Sequence, residues 1–168
     1  MFRKGDLVVS GKNGVCKIVD VGEVDFLWAE KGRYYFILQP VYSPASKTYI
    51  PVDKAESLLR RAMNQEEAAA LIADIPQIDL IPITNEKVCE DIYKECLRKN
   101  ECREWVRILK TTYSRKQKRS RAGRKITAVD NKYFKLAEES LYGEIAQALG
   151  IPREEVEDYI RRQVEEKK

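Results

Sequence analysis

The chain has 168 residues, 35% of them charged and 43% hydrophobic, and it contains no histidine. That length suits one ordinary domain or two small ones, and the composition is that of a folded, soluble chain. Without imidazole the usual general base and the common serine and cysteine triads are excluded, and no apolar run approaches the ~20 residues of a membrane helix.

The other routes to chemistry are equally bare. Cys16, Cys89, Cys96 and Cys102 match no usual zinc spacing and read as core thiols. No Gly-x-x-x-x-Gly-Lys loop or Gly-x-Gly-x-x-Gly turn is present. The paired acids Glu138/Glu139 and Glu154/Glu155 are adjacent in sequence, so they do not share a helix face. The expectation is no enzyme, with no catalytic residue, metal, cofactor or small-molecule substrate. Met1-Phe2-Arg3-Lys4-Gly5-Asp6 turns polar at once, so no signal peptide is read and a cytoplasmic, reducing setting is expected.

Residues 1 to about 52 read as short strands. Leu7-Val8-Val9 is followed by Gly11-Lys12-Asn13-Gly14, where Asn-Gly can supply the positive φ of a tight hairpin. From Val15 to Val21 odd and even positions alternate in character, the period of a strand. Phe26, Leu27 and Trp28 then lie in an irregular stretch, as a contact surface or as a flap folded over the barrel end. Tyr34–Leu38 is a third strand closed by Pro40, and Lys47–Val52 a fourth. Short strands separated by turn signals predict a small, strongly bent barrel.

Helical periodicity takes over after Asp53. Asn64-Gln65-Glu66-Glu67 forms a capping box for a short helix that Ile75-Pro76 closes. Gln77–Ile83, with Pro82, reads first as a flexible link, with packing through its isoleucines as the alternative. Asn85 caps a helix to about Lys99. Thr127 and Asp130 open a long helix with Phe134, Ala137, Leu141, Ile145 and Ala148 on its core face, and Gly150 stops it. A last helix follows Pro152 and buries Val156, Tyr159, Ile160 and Val164. The class is α+β, a β module over 1–63 followed by an all-helical bundle over 64–168.

Between the two capped helices, Glu101 to about Gln117 reads as the central helix. Cys102, Trp105, Val106, Leu109 and Tyr113 form its buried stripe, so Trp105 belongs to the core. Arg103, Arg107, Lys110 and Ser114 lie on another face, and the helix leads into the acid-free run Arg115–Lys125. The net charge is only +4, yet residues 98–135 hold fourteen Lys/Arg against Glu101, Glu104 and Asp130. The flanking segments 64–97 and 138–168 are both net acidic. Charge concentrated in this way is the footprint of a phosphate-facing surface, and nucleic acid is favoured over a merely solvated face. Gly123 and the crowded charge favour partial disorder in the run.

Several motifs resemble one family. Phe2-Arg3-Lys4-Gly5-Asp6-Leu7-Val8-Val9, Asn13-Gly14-Val15, Tyr35-Phe36-Ile37-Leu38 and Tyr49-Ile50-Pro51-Val52 are similar to the polymerase-interacting module of the CarD/CdnL regulators. A related module occurs in the transcription–repair coupling factor. Gly123-Arg124-Lys125-Ile126-Thr127-Ala128-Val129-Asp130 and Leu141-Tyr142-Gly143-Glu144-Ile145-Ala146 resemble the end of that family's helical domain.

The resemblance implies a Tudor-like or SH3-like barrel on the β subunit of bacterial RNA polymerase. It also implies a helical domain on promoter DNA, an effect on open-complex stability and no catalysis. Polymerase contacts would fall on Thr48, Tyr49, Ile50 and Val24, and DNA contacts near Tyr93, Lys94 and Lys132. To these the charge pattern adds Arg103, Arg107, Lys110, Arg115, Lys116, Lys118, Arg119, Arg121 and Arg124 as phosphate contacts without base readout. Many members carry a wedge tryptophan where this chain has Cys89, so the wedge is not carried over. Tyr49 and Val24 also stand where some members use basic residues. A monomer without membrane attachment is expected. The rival readings are a free-standing nucleic-acid-binding protein and an adaptor between proteins.

Overall fold

The computed structural model describes residues 1–11 and 13–166. They divide into two compact units, Met1–Ala62 and the residues from Met63 on. Lys12, in the expected hairpin turn, lies outside the described residues, as do Lys167 and Lys168 at the end of the helical span.

The first unit is a five-stranded antiparallel half-barrel, ordered β4-β3-β2-β1-β5. Its strands are β1 (Leu7–Ser10), β2 (Gly14–Gly22), β3 (Tyr35–Pro40), β4 (Thr48–Pro51) and β5 (Leu59–Arg61). The β1–β2 hairpin pairs Ser10 with Gly14, and Gly14 supplies a positive φ of 66°. A cluster of Val8, Cys16, Ile18, Phe36, Leu38, Ala55 and Leu59 fills the concave side. The register slips between Ile18 and Asp20, a bulge at Val19 that breaks the alternation expected through Val21 and leaves Val21 exposed. After β4 a 3-10 turn at Val52–Lys54 and the short helix α1 (Ala55–Leu58) lead into β5. That last strand pairs Leu59 with Ser10 and Arg61 with Val8. Three residues are too few for a periodic signal, so only the pairing with β1 reveals it.

The second unit holds α2 (Gln65–Asp74), α3 (Cys89–Arg98), α4 (Cys102–Arg121), α5 (Ala128–Leu149) and α6 (Val156–Glu166). Asn64 opens α2 with a full capping box, its Oδ1 accepting from Glu67 N at 2.8 Å and Glu67 Oε1 accepting from Asn64 N at 3.1 Å. Gly150 ends α5 in the left-handed region, φ 69°, where its N–H and that of Ile151 donate to the Ala146 carbonyl. One core joins all five helices around Trp105, Ile108, Tyr133, Leu141 and Ile145.

The buried stripe of α4 is turned by about one residue from the expected one. Trp105, Ile108 and Thr112, spaced i, i+3, i+7, lie inside with Thr111, whereas Tyr113 is 57% exposed. On α5 the core aromatic is Tyr133, and its neighbour Phe134 is only half-buried. Segment 77–83 is packed, not a loose link. Ile78 and Ile81 are buried, and the Ile81 N–H donates to Thr111 Oγ1 at 2.8 Å.

Candidate interaction surfaces

The half-barrel leaves β4 at an open edge. Tyr35 pairs with Pro51, and the Val52 N–H donates to the Tyr34 carbonyl at 3.0 Å. In an antiparallel ladder bonded and non-bonded pairs alternate, so Ile50 and Thr48 spend their backbone groups on β3. Tyr49 therefore turns its N–H and C=O to the free edge, and Pro51 offers only a carbonyl there. Thr48, Tyr49, Ile50 and Val24 are all half-buried, each with some surface to give.

An aromatic pile adjoins this edge. Phe26 and Trp28 stack at 5.3 Å and 15°, and Phe26 stands edge-on to Tyr49 at 5.0 Å. Trp28 also meets Tyr49 at 5.9 Å and Tyr35 edge-on at 5.6 Å. Phe36 and Leu38 point into the core, so Tyr35 and Tyr49 belong to the outer face of the sheet. The loop from Glu23 to Tyr34 thus folds back on the outer face and leaves Trp28 58% exposed. One side of Trp28 rests on the sheet and the other meets solvent.

The second surface is the charged side of α4, and here the expected phosphate contacts separate into two groups. Arg103 pairs with Asp74. Arg107 reaches Glu104 at 3.2 Å and the Asp79 carbonyl at 3.4 Å. Lys110 Nζ donates to the Ile75 and Ile78 carbonyls at 2.8 and 2.6 Å, satisfying carbonyls where α2 runs out. Arg115 joins Asp130 Oδ2 at 2.9 Å and also Glu86. Arg119 Nε donates to the Lys125 carbonyl at 2.7 Å. These five cations are struts of the helical unit.

Lys116, Lys118, Arg121 and Arg124 are exposed or at the helix end and have no side-chain ion pair or hydrogen bond among the described residues, and exposed Lys125 extends the group. The run is helical through Arg121, against the expected disorder. Two effects hold it. Lys118, Arg119 and Arg121 complement the negative end of the helix dipole. Gly123, at φ 74°, closes a Schellman motif in which Arg124 N donates to Arg119 O at 2.7 Å and Gly123 N to Ser120 O at 3.0 Å.

The remaining expected DNA contacts fare differently. Tyr93 is wholly buried and its hydroxyl donates to Asp130 Oδ1 at 2.7 Å, so it has no surface to offer. Burial, then the Asp130 carboxylate, push its phenol far above the ordinary value and keep it a donor. Lys94 is exposed but pairs with Glu90 at 3.5 Å, and Lys132 lies 5.3 Å from the centre of the Tyr133 ring. Cys89 at the wedge position is buried, its Sγ 3.8 Å from Asp130 Oδ1. All four thiols are free, and burial raises Cys16 and Cys96 to about 11. Among the described residues no group of three potential ligands could hold a metal ion, and no helix is long and apolar enough to cross a membrane.

An open edge strand beside exposed aromatic rings offers backbone and apolar groups of the kind that strand-adding partners use. Residues 2–63 match the family described as CarD-like/TRCF RID domain. The chain carries the RNA polymerase-interacting domain of the CarD family, joined to a helical unit. Among curated proteins none matches the chain.

Proposed function

We propose that this chain is a bacterial transcription regulator. The half-barrel docks on the RNA polymerase β subunit, and the end of α4 rests on promoter DNA and alters open-complex stability. The observation that carries the reading is the RID match over residues 2–63 on a barrel whose β4 edge is open at Tyr49. Glutamate at Tyr49 puts a charge on that half-buried edge while sparing the core cluster, which excludes Tyr49. Tyr49→Glu in the full chain is expected to weaken binding to core polymerase about tenfold or more while the chain stays folded. Equal affinity of variant and wild type would remove β4 from the interface.

The DNA half of the proposal rests on the cations left without partners. Each Lys or Arg that neutralises a phosphate releases condensed counterions, so log K falls with log salt at roughly −0.9 per contact. Neutralising Lys118, Arg121 and Arg124 together is expected to shallow that slope by about 2 to 3, equally on unrelated duplexes. Replacing Arg103 or Lys110 lowers the melting temperature and leaves the slope nearly unchanged. Their charges already serve Asp74 and the α2 carbonyls. Salt titrations on two duplexes, with and without polymerase, measure both effects. A slope indifferent to the triple substitution moves the DNA site elsewhere. Polymerase is expected to raise apparent DNA affinity by holding the basic end close to its target.

A further inference from the structure

We infer that the pile of Phe26, Trp28 and Tyr49 is the anchor of the polymerase docking, and that the partner surface it meets is apolar. The inference rests on the proposed docking through β4 and names the chemistry of that contact. Three rings of the outer face are already ordered by mutual contacts of 5.0 to 5.9 Å, so burying them costs little further side-chain entropy. Trp28 keeps 58% of its surface exposed and Leu27 beside it is fully exposed, which makes a contiguous apolar patch at the open edge. Tyrosine and tryptophan in that setting are the residue types that dominate binding energy.

The test is a titration of the full chain into core RNA polymerase, with Trp28→Ala and Trp28→Phe beside wild type. Trp28→Ala is expected to lose roughly thirtyfold or more in affinity while the chain stays folded, as circular dichroism checks, and Trp28→Phe to recover most of it. Trp28→Ala binding as tightly as wild type, while Tyr49→Glu fails to bind, would overturn the anchor and spare the docking through β4. Wild type failing to bind polymerase at all would sink both. Sizing of the free chain adds one more arm. A dimer that Trp28→Ala converts to monomer without loss of polymerase affinity would make the pile a self-contact and overturn the inference.

Discussion

Asp130→Ala is expected to cost about 3–5 kcal/mol, the loss typical of breaking a buried ion pair by removing one partner. Asp130 is fully buried in the first turn of α5 and receives three side chains. Tyr93 Oη donates to Oδ1 at 2.7 Å, Arg115 Nε to Oδ2 at 2.9 Å, and Cys89 Sγ lies 3.8 Å from Oδ1. Its own N–H donates to Thr127 Oγ1 at 3.1 Å, so the residue also belongs to the N-cap of α5. Removing the carboxylate leaves the buried Tyr93 phenol without its acceptor and leaves the Arg115 guanidinium with Glu86 alone. Tyr93→Phe removes only one hydrogen bond to a charged acceptor and is expected to cost about 1.5–3 kcal/mol. A double-mutant cycle between Arg115 and Asp130, followed by denaturant unfolding, should give a coupling above about 1 kcal/mol. Additive losses would show that the two do not stabilise each other.

Trp105→Ala is expected to cost a further class of energy, about 3–5 kcal/mol from lost burial and the cavity left behind. The indole is 1% exposed, in the cluster that includes Val106, Ile108, Tyr133 and Leu141. Since domain stabilities run about 5–15 kcal/mol, that loss removes a large share of what holds the helical unit together. Far-UV circular dichroism during denaturation measures it without relying on indole fluorescence. A variant that melts like wild type yet loses its effect on DNA would make Trp105 a contact residue, against its burial.

These two residues show how the helical unit divides its work. Arg115 and Trp105 lie on one helix ten residues apart, and both face inward. The cationic tail beyond Arg115 keeps the unpaired charges on which the proposed DNA contact rests. Stability and affinity are therefore expected to separate under mutation. Substitutions at Arg103, Lys110, Arg115 and Asp130 move the melting temperature. Those at Lys118, Arg121 and Arg124 move the salt slope.

What the sequence by itself determined are the features governed by near neighbours. The Asn64 box, the Gly150 stop and the division into β module and helices were all legible, because each depends on a few adjacent residues or on one period. The RID motifs were legible for the same reason, as short strings around Gly5-Asp6, Asn13-Gly14 and Tyr49-Ile50-Pro51.

Only the tertiary structure decided the rest. Arg103 meets Asp74 across 29 residues and Lys110 meets Ile75 across 35, so no window along the chain marks them as struts. Asp130 has the spacing of a capping acid, yet its carboxylate turns inward to Tyr93 and Arg115 because the packing of α3, α4 and α5 brings both donors to it. The one-residue turn of the α4 stripe, which buries Ile108 and exposes Tyr113, was set by the helices packed around α4. Periodicity reports that a helix has an apolar side. Which edge of that side is covered depends on the neighbour that packs there, and a charge is free or spent according to what lies across from it.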